Sequence, residues 1–216
     1  MVILGAGSGG YAAALRGAQL GLSVALIEAD KIGGTCLHRG CVPTKAILHS
    51  AETAEAVREA AAVGVRAVFQ GIDMPAVQKY KDGVISRMHK GLQGLVSSRG
   101  IEVVRGWGRL IAEDTVEVDG RRYRGRNVVL ASGSSSKTMG QRISGPVMTS
   151  DQALELDHVP ASAIILGGGV IGVEFASAWA SLGSQVTVIE GLPRLVPNED
   201  EAISKQLERA FRKRRI

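Results

Sequence analysis

The sequence predicts an α/β protein in which short parallel strands alternate with helices. Short apolar runs are followed by glycine-rich turns and helical segments, and one strand–turn–helix–strand unit occurs twice. The 28 glycines and the low aromatic content of 4% fit a chain with many tight turns between strands and helices. With 216 residues, 45% of them hydrophobic, the chain can build one large domain or two smaller ones.

The first copy of the unit opens the chain. Residues 2–5 are predicted to form a buried strand, residues 9–21 a helix, and residues 23–27 a second strand. The glycine pattern G-x-G-x-x-G joins the first strand to the helix, and Glu28 follows its last glycine by 18 positions. In this context the pattern indicates a βαβ unit that binds a dinucleotide.

Each residue of this pattern has a physical role. Gly5 allows the tight turn, Gly7 lets the backbone approach a pyrophosphate, and Gly10 lets the helix pack close to the strand. The helix N-terminus offers N–H groups and a partial positive charge to the phosphates. Glu28 can accept both hydroxyls of an adenosine ribose; the alternative is that it only ends a strand at the surface.

The second copy is residues 164–190, which align with residues 2–28 at an offset of 162. Two dinucleotide sites are therefore predicted in one chain. An acidic residue at the second ribose favours NAD over NADP because a carboxylate repels a 2′-phosphate, although the nearby Arg194 would soften this preference. The residues of the second site are Gly167, Gly169, Gly172 and Glu190.

The only two cysteines, Cys36 and Cys41, are spaced C-x4-C. Closing so short a loop removes little unfolded-state entropy, which argues against a structural disulfide. On a regular helix, residues five apart lie about 140° apart around the axis and about 7.5 Å along it. A disulfide needs Cα atoms within about 7 Å, so the backbone must leave the helix, and Gly40 permits this.

A proline three positions beyond the glycine, Pro43, suits the first turn of a following helix. Cys41 would then lie near a helix N-terminus, where a thiolate is stabilised. We therefore predict a redox-active dithiol in preference to two unpaired buried thiols.

The remaining elements follow from the same signals. Asp73 is a predicted N-cap before Pro75, and Asp119-Gly120 marks a hairpin between apolar runs. A stretch rich in Ser and Gly places a domain boundary after residue 145. The predicted segments are helices at 44–62 and 73–98, a loop or short strand at 64–71, alternating segments at 101–105, 107–111 and 115–124, and a strand at 127–131.

Composition disfavours several other classes of protein. No apolar run approaches the roughly 18 residues of a membrane span, and no basic leader precedes the first strand. The net charge of +5 owes much to five basic residues near the C-terminus, with no aromatic platform for nucleic acid. We expect a cytoplasmic protein that binds neither nucleic acid nor membrane, in which a lone cysteine pair is more often catalytic than structural. No metal site is predicted.

Residues 33–45, Gly-Gly-Thr-Cys-Leu-His-Arg-Gly-Cys-Val-Pro-Thr-Lys, resemble the redox-active segment of the flavoprotein disulfide reductases. That group includes the dihydrolipoamide dehydrogenases, glutathione reductases and mercuric reductases. Leu37 and the run at residues 191–200 look most like the dihydrolipoamide dehydrogenases, and the Leu-His-Arg-Gly core resembles their actinobacterial branch. The resemblance covers essentially the whole chain.

The resemblance implies two Rossmann-like domains, an FAD domain with a β-meander and the dithiol (residues 1–145) and the start of an NAD domain (residues 146–216). It makes Cys36 the interchange thiol and Cys41 the thiolate against the flavin. It also pairs Lys45 with Glu174 near the point of hydride transfer; without it, both would be ordinary surface residues. The implied FAD-binding residues are Gly5, Gly7, Gly10, Glu28, Gly34, Thr35, Lys45, Ser132 and Gly133, and the implied NAD-binding residues are those of the second site.

The implied activity is oxidation of protein-bound dihydrolipoamide, with electrons passing from the dithiol to FAD and then to NAD. The implied partner is a lipoyl-bearing protein of a 2-oxoacid dehydrogenase complex. Alternatives are an NADPH-dependent reductase of glutathione-like disulfides or Hg(II), and a non-catalytic nucleotide-binding fragment.

The chain also departs from the family pattern. Members of the group are homodimers about twice this length, and a histidine–glutamate base lies in their C-terminal domain. None of the four histidines here, at positions 38, 49, 89 and 158, has that context. We therefore expect the 216 residues alone to hold flavin poorly and to lack turnover.

Overall fold

The computed structural model describes all residues, 1–216, and they form two compact units. Unit 1 comprises residues 1–43 and 82–149, and unit 2 comprises residues 44–81 and 150–216. The chain passes from one unit to the other three times, so residues 44–81 belong to the same unit as the second sequence repeat. No helix has both the length and the apolar character that a membrane span requires.

A four-stranded parallel sheet forms the centre of unit 1, in the strand order β3-β2-β1-β7. Helix α1 connects β1 to β2. The sequence grouped residues 101–105 with the alternating segments that follow, but this strand pairs in parallel with β2 instead. The bounds are β1 Val2–Leu4, α1 Ser8–Gln19, β2 Ala25–Glu28, β3 Glu102–Arg105 and β7 Val128–Leu130.

A three-stranded antiparallel sheet, the predicted meander, covers one face of the parallel sheet. Its strands are β4 Gly108–Ala112, β5 Thr115–Val118 and β6 Arg121–Arg124. Asp119 and Gly120 both have positive φ (49° and 77°), as the tight hairpin turn predicted at this pair requires. Buried side chains of the two sheets form one apolar cluster, which includes Val2 and Ile27 of the parallel sheet and Val116 of the meander.

Unit 2 combines a two-stranded parallel sheet with helices on one side. Asp73 accepts a hydrogen bond from the Ala76 N–H (3.0 Å), which confirms the predicted N-cap of α4. The segment between α3 and α4 contains a short 3₁₀ turn at Ala60–Val63 and no strand. The bounds are α5 Ser150–Ala153, β8 Ser162–Leu166, α6 Val170–Leu182, β9 Gln185–Ile189 and α7 Glu201–Lys213. Two helices have residues in both units: α3 Cys41–Glu59 belongs to unit 2 from residue 44, and α4 Met74–Ser98 belongs to unit 1 from residue 82. Helix α2, Gly34–Arg39, lies in unit 1.

The sequence repeat is also a structural repeat. Strand pairing keeps the offset of 162, since Val2 pairs with Ala25 and Ile164 with Thr187. One difference lies on the sheet face that the meander covers in unit 1. Ile27 is fully buried there, whereas its counterpart Ile189 is 52% exposed in unit 2.

Candidate functional site

The first glycine turn, between β1 and α1, admits no side chain at two positions. Gly5 has φ 99°, and a Cβ there would lie 2.1 Å from the Ala131 carbonyl oxygen. A Cβ at Gly10 would lie 1.8 Å from the Gly5 carbonyl oxygen. Gly7 is the N-cap of α1, and no side chain caps this helix end. The first N–H groups of α1 therefore remain available to an anion, as the sequence predicted.

The second glycine turn, between β8 and α6, repeats this geometry. Gly167 has φ 105°, and a Cβ at Gly172 would lie 1.9 Å from the Gly167 carbonyl oxygen. Gly169 is the N-cap of α6, again without a side-chain cap. The first N–H groups of α1 and of α6 are thus uncapped by side chains in the same way.

Each repeat has one acidic residue at the end of its second strand, and backbone N–H groups hold both carboxylates in the same way. Glu28 accepts hydrogen bonds from the N–H groups of Ala6 (2.7 Å) and Asp30 (2.8 Å). Glu190 accepts the equivalent bonds from Gly168 (2.7 Å) and Leu192 (2.8 Å). Each carboxylate oxygen uses one acceptor position and keeps another, so both residues fit the two hydroxyls of a ribose.

Backbone hydrogen bonds also control the charge of Glu190. The N–H of Leu192, followed by that of Gly168, holds the pKa of Glu190 below its ordinary value of 4.5. The Arg194 guanidinium donates to the carbonyl oxygens of Pro197 (2.8 Å) and Glu199 (3.0 Å). The Arg194 guanidinium is therefore engaged by its own loop and forms no ion pair with Glu190.

The dithiol segment breaks between its two cysteines. Helix α2 carries the half-buried Cys36, and α3 begins at the exposed Cys41. Between them Gly40 leaves the helical conformation, at φ −146° and ψ −114°. A Cβ at Gly40 would lie 3.0 Å from the Thr35 carbonyl oxygen, so the chain doubles back closely on the Cys36 turn. The predicted interruption and the position of Cys41 near a helix N-terminus are confirmed, although the helix begins at residue 41 and not at the predicted residue 44.

Helix α2 begins directly against the first glycine turn. Gly33, at φ 110°, donates its N–H to the Ala6 carbonyl oxygen (2.8 Å). A Cβ at Gly34 would lie 2.6 Å from the Gly7 Cα atom. Backbone meets backbone here, so the dithiol helix and the turn that fits a pyrophosphate form one continuous surface within unit 1.

Lys45 and Glu174, far apart in the sequence, form an ion pair with 2.6 Å between Nζ and Oε1. Both lie in unit 2, each as the fifth residue of its helix, Lys45 in α3 and Glu174 in α6. The Lys45 side chain is 59% exposed and that of Glu174 is 24% exposed. Solvent therefore screens the ion pair, which contributes little to stability but holds the two side chains together.

The other predicted residues of the first site lie around its turn. Thr35 is exposed in the first turn of α2, and Ser132 and Gly133 follow β7. The Ser132 Cα atom would lie 3.1 Å from a Cβ at Gly5. Sequence reasoning missed Ala131, whose carbonyl oxygen closes over Gly5; its only signal was its position at the end of a predicted strand.

Comparisons with known proteins agree with this geometry. Residues 1–216 match the family described as "Pyridine nucleotide-disulphide oxidoreductase". The dihydrolipoyl dehydrogenase of Bacillus subtilis is 41% identical over 233 residues, which cover all of this chain and 49% of that protein. The dihydrolipoyl dehydrogenase of Thermus scotoductus is 36% identical over 99% of this chain and 46% of that protein.

A solved structure is also similar. The HOCl-induced flavoprotein disulfide reductase RclA from Escherichia coli has a TM-score of 0.77 and 30% sequence identity. The match covers 99% of this chain and 47% of that one. The chain thus spans about half the length of the curated relatives it matches.

Proposed function

Since this chain belongs to the pyridine nucleotide-disulphide oxidoreductase family, we propose that it carries the dithiol and the two dinucleotide sites of a dihydrolipoyl dehydrogenase. The observation that supports this most strongly is the backbone contact between the dithiol helix and the first glycine turn. The proposed substrate is a protein-bound dihydrolipoamide, and the proposed partner is the lipoyl-bearing protein of a 2-oxoacid dehydrogenase complex. As part of the same proposal, the protein acts in the cytoplasm and the whole protein is a homodimer.

The proposed chemistry at the cysteines is thiol–disulfide exchange. A substrate thiolate attacks the Cys36 sulfur of a Cys36–Cys41 disulfide, forming a mixed disulfide and releasing the Cys41 thiolate. The second substrate thiolate then attacks the substrate sulfur of the mixed disulfide and releases the Cys36 thiolate. The substrate becomes a cyclic disulfide and the cysteine pair gains two electrons, while the two substrate thiols each lose a proton.

The helix start decides which cysteine leaves. Cys41 is the first residue of α3, where unsatisfied backbone N–H groups stabilise a thiolate. Cys36 is the third residue of α2, whose six residues give a weaker helix dipole than the nineteen residues of α3. Although Cys41 is the more exposed of the two in this chain, the leaving-group argument assigns Cys36 as the sulfur that meets the substrate.

The residues present fit two dinucleotides. The α1 N-terminus and Glu28 would hold FAD, and the α6 N-terminus and Glu190 would hold NAD. When bound, FAD takes up the electron pair of the dithiol and NAD accepts it as hydride. Lys45 follows Cys41 by four residues on α3, and its ion pair with Glu174 would fix the direction of the Lys45 side chain.

The charge of Glu190 bears on the alternative reductases. An enzyme that reduces glutathione-like disulfides or Hg(II) with NADPH needs a site for a 2′-phosphate. Glu190 keeps a lowered pKa and therefore a full negative charge at neutral pH, which repels that phosphate. We therefore propose NAD as the nicotinamide cofactor.

The exchange can be tested on the chain itself. The oxidised chain is mixed with one equivalent of dihydrolipoamide without oxygen, and protein thiols are counted by mass spectrometry after alkylation. We expect both cysteines to become alkylated. In a second arm, the remaining cysteine of the reduced Cys41→Ser chain attacks the disulfide of lipoamide and opens its ring. Iodoacetamide then alkylates the lipoamide thiol that is released and so traps the mixed disulfide.

The second arm assigns the attacked sulfur. Cys41→Ser should form the lipoamide adduct at Cys36 faster than Cys36→Ser forms one at Cys41. Absence of a Cys36–Cys41 disulfide in the oxidised chain, or no gain of thiols with dihydrolipoamide, would leave the non-catalytic nucleotide-binding alternative. An adduct that forms faster at Cys41 would reverse the assignment of the two sulfurs.

A further inference from the structure

We infer that His38 and His89 are positioning residues for the dithiol helix α2, and that protonation of His89 loosens the helix. Sequence reasoning assigned neither histidine a role. His38 lies two residues after Cys36 on α2, and His89 lies on α4. The inference concerns the same dithiol as the proposed function, but its test needs no cofactor and no substrate.

Helix α2 has only six residues, which is too short to be stable without external contacts. Leu37 is buried, and the His38 Nε2–H donates to the Ile32 carbonyl oxygen (2.9 Å). Arg39 pairs with Asp30 (3.1 Å), but both side chains are more than half exposed, so this ion pair contributes little. The His38 hydrogen bond thus helps to hold the C-terminal end of α2 in place.

The His38 ring packs against the ring of His89. Their centroids lie 4.8 Å apart and the ring planes are 80° apart, the edge-to-face arrangement of aromatic pairs. The His89 Nε2 atom is buried and has no hydrogen-bond partner. A ring that packs this way contributes best when it is neutral, because a buried cation without an acceptor is costly.

The side chains that shift the pKa of His89 are all basic. Burial, and then His38, Lys31 and Arg105, hold the pKa of His89 below its ordinary value of 6.5. Asp30, the carboxylate that precedes Lys31, is paired with Arg39. No carboxylate is among the groups that shift the pKa of His89, so a proton on His89 meets basic neighbours only.

The direction of the pH effect follows from linkage. As the pH falls below 6.5, a histidine of ordinary pKa in the unfolded chain begins to bind a proton, whereas the same histidine with a lowered pKa in the folded chain is still neutral. Its contribution to folding is therefore complete above pH 6.5 and is lost as the pH falls below 6.5. We expect this loss to appear first at α2, because a helix of six residues depends on side-chain contacts such as that of His38.

Hydrogen exchange of the oxidised full chain measures this directly. The protection factor of the peptide that contains residues 34–41, corrected for intrinsic exchange, is followed from pH 8 to pH 5. We expect it to fall by at least about threefold below pH 6.5. His89→Phe keeps a ring for the contact but cannot be protonated, so its protection should stay flat over the same range.

Two further variants make the test specific. His49→Phe is the matched control, because His49 also faces a ring, that of Tyr80 at 6.2 Å, but lies in unit 2. It should keep the pH-dependent fall of the unmodified chain. His38→Gln, which retains a donor for the Ile32 carbonyl, should lower the protection of α2 at pH 8 less than His38→Ala does.

A constant protection factor in the unmodified chain, or an unchanged fall in His89→Phe, would overturn the inference. Failure of the exchange reaction with dihydrolipoamide would leave this result unaffected. The two proposals therefore fail separately.

Discussion

Replacing Gly10 with alanine tests the geometry of the first glycine turn. An alanine Cβ would lie 1.8 Å from the Gly5 carbonyl oxygen, whereas real Cβ atoms essentially never approach closer than 3.0 Å. The start of α1 must therefore move away from β1 by more than about 1 Å. Because the clash is with backbone, no side-chain rotation relieves it, and we expect a loss of about 3 kcal/mol in the free energy of unfolding.

The neighbouring residue provides the control. Gly9 is exposed in the same helix turn, and a Cβ there meets nothing within 4 Å. Gly9→Ala should leave stability unchanged or raise it by up to about 1 kcal/mol through helix propensity.

Urea unfolding followed by circular dichroism measures both variants. With a slope of about 2–3 kcal/mol/M, Gly10→Ala should lower the midpoint by about 1 M, and Gly9→Ala should not lower it. Equal midpoints for the two variants would refute the close approach of α1 to the turn.

Two further predictions use other parts of the fold. Ile27 and Ile189 occupy equivalent positions of the repeat, but only Ile27 is buried. In urea unfolding, Ile27→Ala should therefore lower the free energy of unfolding by about 2–5 kcal/mol and Ile189→Ala by less than about 1 kcal/mol. Equal losses would contradict the exposed sheet face in unit 2. The lowered pKa of Glu190 adds stability that is complete above pH 4.5 and lost as the pH falls below 4.5. Glu190→Gln should therefore flatten the acid limb of a stability–pH profile below 4.5, and an unchanged limb would contradict this account.

The sequence predicted features that depend on local chemistry. The roles of Gly5 and Gly10 follow from backbone conformation and close approach, which only glycine permits, and the structure has both. The hairpin at Asp119-Gly120 was predictable for the same reason, since two consecutive residues with positive φ need this kind of pair.

Features that depend on packing between distant segments could not be predicted. Residues 44–81 join unit 2, although their sequence lies between two parts of unit 1. The contact of His38 with His89 joins two helices whose sequences carry no mutual signal. The backbone bonds that hold Glu28 and Glu190 come from the glycine turn of the same repeat, and a carboxylate at a strand end gives no sign of them.

An absorbance spectrum tests the central claim that the dithiol acts beside a flavin. The chain is saturated with FAD, recorded oxidised, and recorded again after one equivalent of dithiothreitol, alongside Cys41→Ser. We expect a new long-wavelength shoulder on reduction of the unmodified chain and none in the variant. Bound FAD with no shoulder in the unmodified chain, or an equal shoulder in Cys41→Ser, would contradict it.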